Sequence, residues 1–544
     1  MSRMKPLASL LLLLLIAAVP AQAKDKRPNF LVIVADDLGY SDLGAFGGEI
    51  NTPHLDKLAL AGVRLAGFHT APTCSPTRSM LLSGTDNHVA GLGTMAEMIR
   101  PNQKDKPGYE GYLRADVATL AERLTAGGYA TLFSGKWHLG LTPEQDPHAR
   151  GFQRSFALLQ GGHNHFGTDV GTTATYTEQG NLLTELPTDF YSSDYFATRL
   201  IDFLGEREAE GAQQPFFAYL AFTAPHWPLQ AHPEDIARYE GRYDDGFDAL
   251  RERRLARQRE LGILAPGVVP HTPRNRDGSW DSLTADQQRT AARNMEIYAA
   301  MVDRMDRNVG RIVEALRASG ELDKTVILFL ADNGAEALDI ETTGAEMLAA
   351  RIKGADNAYT NRGAASSYIT YGAGWAQAAT APSWLAKGYQ SEGGTRAVAF
   401  ISGEGIPRRE GAETQFLSVA DVAPTLLGLA GVDAAATDVG GRAVKPITGR
   451  SWLAWLRNPA ARVYRARDGF GAELFGSRAW RQGDWKLTDI GDGQWRLFDL
   501  ARDPGETRDL SLAEPARRDA LAAAWDRYAR EVGVTLPDAI PYRP

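Results

Sequence analysis

Phe30-Leu31-Val32-Ile33-Val34-Ala35 runs directly into Asp36-Asp37. A continuous apolar run of this length is the mark of a strand covered on both faces, which belongs inside a largely parallel sheet. Outward from it the pattern recurs. Tyr129–Ser134 leads to Lys136-Trp137-His138, Phe216–Thr223 to Pro225-His226-Trp227-Pro228, and Thr325–Ala331 to Asp332-Asn333-Gly334. Helical stretches separate these runs: Asp116–Gly127, with Asp116 as its expected N-cap, and Asn294–Leu316, whose apolar stripe has the 3.6-residue period. Val398–Ile401 and the stripe Phe416–Leu429 complete the pattern. The predicted fold is α/β, a large, mixed, mostly parallel sheet sandwiched by helices. In such sheets ligands bind outside the carboxyl ends of the strands. Asp36, Asp37, Lys136, His138, His226, Asp332 and Asn333 are therefore predicted to converge on one rim. A single Asp after a strand is most often a turn residue; four polar strand endings in one chain point to a site.

The chain's single cysteine stands in Cys74-Ser75-Pro76-Thr77-Arg78-Ser79-Met80-Leu81-Leu82-Ser83-Gly84. Pro76 suits a first helical turn and Gly84 a helix exit, so Cys74 is expected at a helix N-terminus, where free N–H groups and the dipole favour an anion. Arg78, four residues on, shares its face and carries donors suited to an oxyanion or to holding a neighbouring side chain. A lone cysteine is usually a small buried hydrophobe. In an oxidising compartment, however, a free thiol is a liability that chemical conversion would remove. Three carboxylates and an amide, from Asp36, Asp37, Asp332 and Asn333, form a hard all-oxygen set that suits Ca²⁺ or Mg²⁺ rather than Zn²⁺. With Arg78, Lys136, His138, His226 and Lys387 beside it, the pocket would be strongly positive and suited to a small oxyanion ester.

The Cys74–Gly84 run resembles the signature of the type I sulfatases. Gly135-Lys136-Trp137-His138-Leu139-Gly140, Ala224-Pro225-His226-Trp227-Pro228, Ala331-Asp332-Asn333-Gly334 and Trp485-Lys486…Leu497-Phe498-Asp499-Leu500…Asp503-Pro504-Gly505-Glu506 resemble further blocks of that family, in family order. The likeness covers essentially the whole mature chain and is nearest to the bacterial arylsulfatases, through Val34–Asp42 and Trp375–Ser383. It implies an alkaline-phosphatase-like fold and hydrolysis of sulfate monoesters to an alcohol or phenol and sulfate. It also implies one Ca²⁺ held by Asp36, Asp37, Asp332, Asn333 and a Cys74 converted to formylglycine. By the same resemblance Arg78 and Lys136 hold the aldehyde hydrate, and His226 and Lys387 bind sulfate oxygens. His226 then protonates the departing oxygen, and His138 takes a proton from the second hydroxyl. The implied partners are a sulfate ester and a formylglycine-generating maturation enzyme. Two other readings stand beside it: a phosphodiesterase or phosphonate monoester hydrolase on the same site, since related folds admit both ester classes, and a non-catalytic protein binding sulfated glycans.

Residues 1–23 read as a signal peptide, with Arg3 and Lys5 ahead of an apolar run and Ala21-Gln22-Ala23 at the cleavage site. A periplasmic or secreted, soluble, monomeric protein is expected, with no membrane span in its mature form. Removing Arg3 and Lys5 takes the formal charge from −8 to −10, which argues against nucleic acid or an anionic membrane surface as partner. Residues 24–450 are expected to form the catalytic domain and 451–544 a smaller α+β domain, whose short alternating runs predict an antiparallel sheet ahead of a helix over 515–532. Asp244–Gly262, mixed in charge, is expected to be a solvated helical insertion. The irregular stretch 340–396, which contains Lys387, is expected to fold over the site and form its wall. His54, His69 and His88 are read as structural, and His163 and His165 as candidates for the substrate mouth.

Overall fold

A computed structural model describes residues 26–273, 278–342 and 352–542, so the expected signal peptide lies outside the described residues. The strands are β1 (Asn29–Ala35), β2 (Val63–Arg64), β3 (Phe68–His69), β4 (Ala130–Lys136), β5 (Arg154–Leu158), β6 (Tyr176–Glu178), β7 (Asn181–Leu183), β8 (Phe216–Ala221), β9 (Thr325–Ala331) and β10 (Ala399–Gly403). All but β3, which pairs with Leu417–Ser418, join one nine-stranded sheet of order β2-β10-β9-β1-β8-β4-β5-β6-β7. The stretch from β9 to β5 is parallel and both margins are antiparallel. Every residue of β1, β4, β8 and β9 is buried, so both faces of the central sheet are covered, as continuous apolar runs require.

Register explains the rim. Ala35 stands opposite Ala331, Val34 opposite Ala221, and Gly135 opposite Ala221. The four strands therefore stop level with one another, and the residues after them emerge together. The α-helices ahead of β9, among the described residues, are α1 (Pro53–Ala61), α2 (Cys74–Ser83), α3 (Leu120–Ala126), α4 (Ser192–Ala209), α5 (Pro233–Ala237), α6 (Gly246–Glu260) and α7 (Ala285–Ala318). As expected, α2 begins at Cys74 and ends on Gly84, whose left-handed φ of 68° suits glycine.

Three helix readings need correction. The helix expected from Asp116 starts at Leu120, capped by Thr119 and Glu122 in a reciprocal box with both bonds at 2.9 Å. Asp116 is instead clasped by Arg114 through two bonds of 2.8 Å. The helix expected from Asn294 begins nine residues earlier, at Ala285, behind a Thr284/Gln287 box; its first turns are polar and carry no periodic signal. The third concerns α6, which is not a solvated insertion. Phe247, Leu250 and Leu255 are buried on it, and the wholly buried Arg254 pairs with Asp42 (2.5 Å) and Glu49 (2.8 Å).

A separate antiparallel sheet near the C-terminus is built from Gly469–Leu474, Ser477–Gln482, Trp485–Asp489 and Arg496–Asp499 in sequential order. Pro515–Val532 packs on it through Leu521, Ala524 and Trp525. Lys486 on this sheet reaches Glu392 and Glu506, both at 2.9 Å, and Glu392 in turn meets His69 at 2.9 Å. The residues around Trp485 and Glu506 thus tie the small sheet to β3 and to the short helix Glu392–Thr395 ahead of β10.

Candidate active site

Cys74 Sγ lies at the first turn of α2, buried, 3.5 Å from Asp36 Oδ1 and 4.0 Å from Asp37 Oδ1. Asp37 has a left-handed φ of 65°, and His138 one of 55°. Such backbone costs about 1–3 kcal/mol per residue and persists where the surroundings over-determine it. At Asp36-Asp37 the turn brings two successive carboxylates to one point.

Each carboxylate of the rim has a buried cation. Arg78 grips Asp332 Oδ2 through Nε (3.0 Å) and Nη2 (2.7 Å), and its Nη1 donates to the Lys136 carbonyl at 3.0 Å. Lys136 Nζ donates to Asp36 Oδ2 at 2.7 Å, and Lys387 Nζ to Asp37 Oδ2 at 2.8 Å. Lys387, from the irregular stretch, is therefore as deeply part of the cluster as the strand-end residues. Burial raises Asp36 to about 7 against the pull of Lys136. Burial acts the same way on Asp37, but Lys387, His226 and Lys136 outweigh it and hold this carboxyl at about 2. The Cys74 thiol is pushed well up by burial, with Lys136 and Lys387 opposing, so at neutral pH it stays protonated.

The donor set fits a hard cation. Ligand atoms of Asp36, Asp37, Cys74 and His226 lie within 4.8 Å of one another. Asn333 Oδ1 is buried with no partner, while Nδ2 of the same amide donates to Asp37 Oδ1 at 2.6 Å. An orphaned carbonyl oxygen beside buried carboxylates is what an oxygen-liganded Ca²⁺ or Mg²⁺ would satisfy. Asp332 is nearby but committed: Oδ2 to Arg78, and Oδ1 to the Asp37 N–H at 3.2 Å.

The two predicted catalytic histidines face the same space. His226 Nδ1 is 2.5 Å from the Trp227 carbonyl, which makes it the donating nitrogen and leaves Nε2 toward Asp37 Oδ2 at 3.6 Å. Burial depresses its pKa well below the ordinary range. His138 Nε2 lies 3.2 Å from Glu97, while Nδ1 is buried without a partner. Its pKa is also lowered by burial, with Glu97 opposing. Gly161 is required beside it, since a Cβ there would stand 2.4 Å from His138 Cε1.

A cavity of about 810 Å³ opens over Cys74, His138, His226 and Lys387. Its upper wall corrects two expectations. It comes mainly from Met95–Met98, Tyr112, Leu141, Gln160–Gly162, Phe475 and Tyr542; among the described residues of 340–396 only Lys387 lines it. His163 and His165 lie beneath the mouth rather than at it: His163 bonds Thr223 at 2.8 Å, and His165 bonds Ser192 at 2.8 Å and the His226 carbonyl at 2.9 Å. Burial holds His165 at about 4, so it buttresses His226 as a neutral ring. Glu97, Glu336 and Tyr542 were not foreseen. Glu336, three residues past Asn333, could have been suspected from its place behind a rim strand; nothing local marks the other two.

A family model described as Sulfatase matches residues 28–432. An uncharacterized sulfatase of Schizosaccharomyces pombe is 47% identical over 537 residues, covering 95% of this chain and 96% of that one. An arylsulfatase of Klebsiella aerogenes is 40% identical over 422 residues, 76% of this chain and 88% of the relative. Among solved structures, Ps i-CgsB in complex with k-i-k-neocarrahexaose superposes with a TM-score of 0.66 at 23% identity, covering 95% of each chain.

Proposed function

The chain belongs to the sulfatase family and is a sulfuric ester hydrolase, and from that premise we propose that it is an arylsulfatase acting through a formylglycine made from Cys74 beside one Ca²⁺. The observation that carries this reading is the setting of Cys74. It lines a substrate-sized cavity, ringed by Asp36, Asp37, Lys136 and Lys387, yet burial pushes its thiol pKa up, which disfavours the thiolate that would be the nucleophile. Conversion to an aldehyde resolves the conflict, because the hydrate offers one hydroxyl to attack sulfur and a second through which the residue is regenerated. Asp36, Asp37, Asp332, Asn333 and the modified residue would hold the Ca²⁺. When bound, that ion would supply positive charge against the non-bridging sulfuryl oxygens.

The chain's own groups divide the remaining work. Arg78 and Lys136, each fixed by a carboxylate of the rim, would hold the hydrate at residue 74. Lys387 binds the sulfate group from the opposite side, through the Nζ that now meets Asp37. His226 binds beside it; its Nδ1–H is committed to the Trp227 carbonyl, so Nε2 passes a proton to the departing phenol or alcohol oxygen, as the S–O bond breaks, from the doubly protonated ring, a form that the anionic sulfate beside it favours against the burial that lowers the ring's pKa. His138, backed by Glu97, accepts the proton of the second hydroxyl, so that ester and water yield alcohol and sulfate. A maturation enzyme must act on Cys74 while it is still accessible, since the residue is buried in the folded chain. Residues 1–23 support export to the periplasm or beyond, and among the described residues no helix is long and apolar enough to cross a membrane.

Steady-state kinetics on a matched aryl sulfate and aryl phosphodiester test the assignment. The sulfate is expected to have the higher kcat/KM. A phosphodiester turned over far faster would transfer the site to phosphodiester or phosphonate hydrolysis.

A further inference from the structure

Tyr542 enters the active-site cavity from the other end of the chain, alongside Pro541. Its approach is built rather than incidental. Past Pro515–Val532 the backbone is stapled to the segment that follows Met98: Gln103 Nε2 donates to the Thr535 carbonyl and Asn102 Nδ2 to the Leu536 carbonyl, both at 2.8 Å, and Arg100 pairs with Asp538 at 3.1 Å. The same segment carries Met95, Glu97 and Met98 into the cavity wall. The Tyr542 ring packs on Phe475, with centroids 5.8 Å apart, and against the cluster of Leu338 and Tyr368.

Its hydroxyl donates to Glu336 Oε1. Glu336 Oε2 lies 3.3 Å from Lys387 Nζ and accepts from Trp227 Nε1 at 3.4 Å. One buried carboxylate therefore links a wall residue, the indole next to His226, and a sulfate-facing lysine. The charge of the wall is equally distinctive. Among the described residues, the only basic side chains lining the cavity are His138, His226 and Lys387, whereas the rest of the lining is mainly Met, Leu, Phe, Trp and Tyr, with Gln145, Gln160 and Thr173 as neutral polar groups and with carboxylates already bound. A second sulfate or carboxylate on the substrate would find no cation there; an apolar group would be desolvated against aromatic and thioether surface.

We propose that Tyr542 is a specificity-determining residue of this site, its ring forming the apolar wall against the departing group of a singly charged, bulky aryl sulfate and its hydroxyl fixing Glu336 and, through it, Lys387. The assignment rests on the sulfatase reading above. Phenyl sulfate and 4-biphenylyl sulfate separate the two roles, since their leaving groups are alike in acidity and differ by one apolar ring. In Tyr542→Ala the KM for the biphenylyl ester rises by about tenfold while that for phenyl sulfate moves by less than about twofold, the scale expected when apolar contact is lost from one side of a pocket. Tyr542→Phe keeps the wild-type ratio of the two KM values but lowers kcat on both esters by the same factor as Glu336→Gln. An equal loss on both esters in Tyr542→Ala, or unchanged kinetics in that variant and in Glu336→Gln, overturns the proposal. A wild-type chain inactive on both esters contradicts the sulfatase reading instead.

Discussion

Asp37 and Asp332 occupy opposite sides of the same problem, a cluster of like charges held together without water. Asp37→Ala removes the nearer acidic partner of Lys387, leaving Glu336 at 3.3 Å, and one oxygen of the cation set; Asp332→Ala leaves Arg78 buried with Asp36, at 3.7 Å, as its carboxylate among the described residues. Loss of one member of a buried pair costs on the order of 3–5 kcal/mol. Both variants are expected to lose Ca²⁺ and activity together, as read by calorimetric titration and turnover, and the second also to melt earlier. Retained calcium with full turnover would refute the ligand assignment. His226 makes a different prediction, because a general acid matters in proportion to the basicity of the departing oxygen. His226→Ala should depress turnover of esters of weakly acidic alcohols far more than those of acidic phenols. A flat loss across a leaving-group series would assign His226 to binding alone.

At the scale of elements, the rim was legible because parallel strands with aligned ends project whatever follows them, and β1, β4, β8 and β9 announce themselves as apolar runs. Other features escaped for specific reasons. Thr119-x-x-Glu122 is a capping box present in the sequence, but Asp116 competes with it as a plausible cap until Arg114 is seen to hold it. His163 and His165 look like pocket residues by their neighbours and are buried props by their partners, which come from β6, α4 and the His226 turn. Helix α6 reads as solvated because charge is counted along the chain, whereas the partners of Arg254, Glu49, Ser41 and Asp42, stand 205 to 213 positions away. That helix supports the loop that follows Asp36-Asp37: Arg254 holds Asp42, which accepts from the Gly39 N–H at 2.7 Å and from Tyr298 at 2.6 Å. Arg254→Ala is expected to lower unfolding free energy by about 3–5 kcal/mol in urea titration. Arg257→Ala, whose pair with Glu260 is exposed, should change it by less than about 1 kcal/mol. Equal effects would mean that α6 contributes no buried ion pair to the loop.

Over the whole molecule, the small sheet is fastened to the turn that follows α2 by buried charge. His88 lies between Asp86 (3.2 Å) and Glu473 of the small sheet (3.1 Å), and Tyr528 from the terminal helix also bonds Asp86 at 2.8 Å. Burial alone would lower the pKa of His88, but the hydrogen bonds to Asp86 and Glu473 raise it to about 9. Since the folded value lies above the ordinary 6.5, this stabilisation is fully present below about pH 6.5 and is lost as pH rises through about 9, a change on the order of 3 kcal/mol. Denaturant titrations between pH 6 and 10 should show that decline and should lose most of it in His88→Gln; an unchanged slope in the variant would show that the histidine is neutral in the folded chain. The central claim, that catalysis depends on an aldehyde at position 74, is tested most directly by intact-mass spectrometry paired with turnover. Preparations made with and without a co-expressed formylglycine-generating enzyme should contain different fractions of chain carrying the aldehyde, and specific activity on an aryl sulfate should rise in proportion to that fraction. Full activity in a preparation whose Cys74 is entirely an unmodified thiol would contradict it.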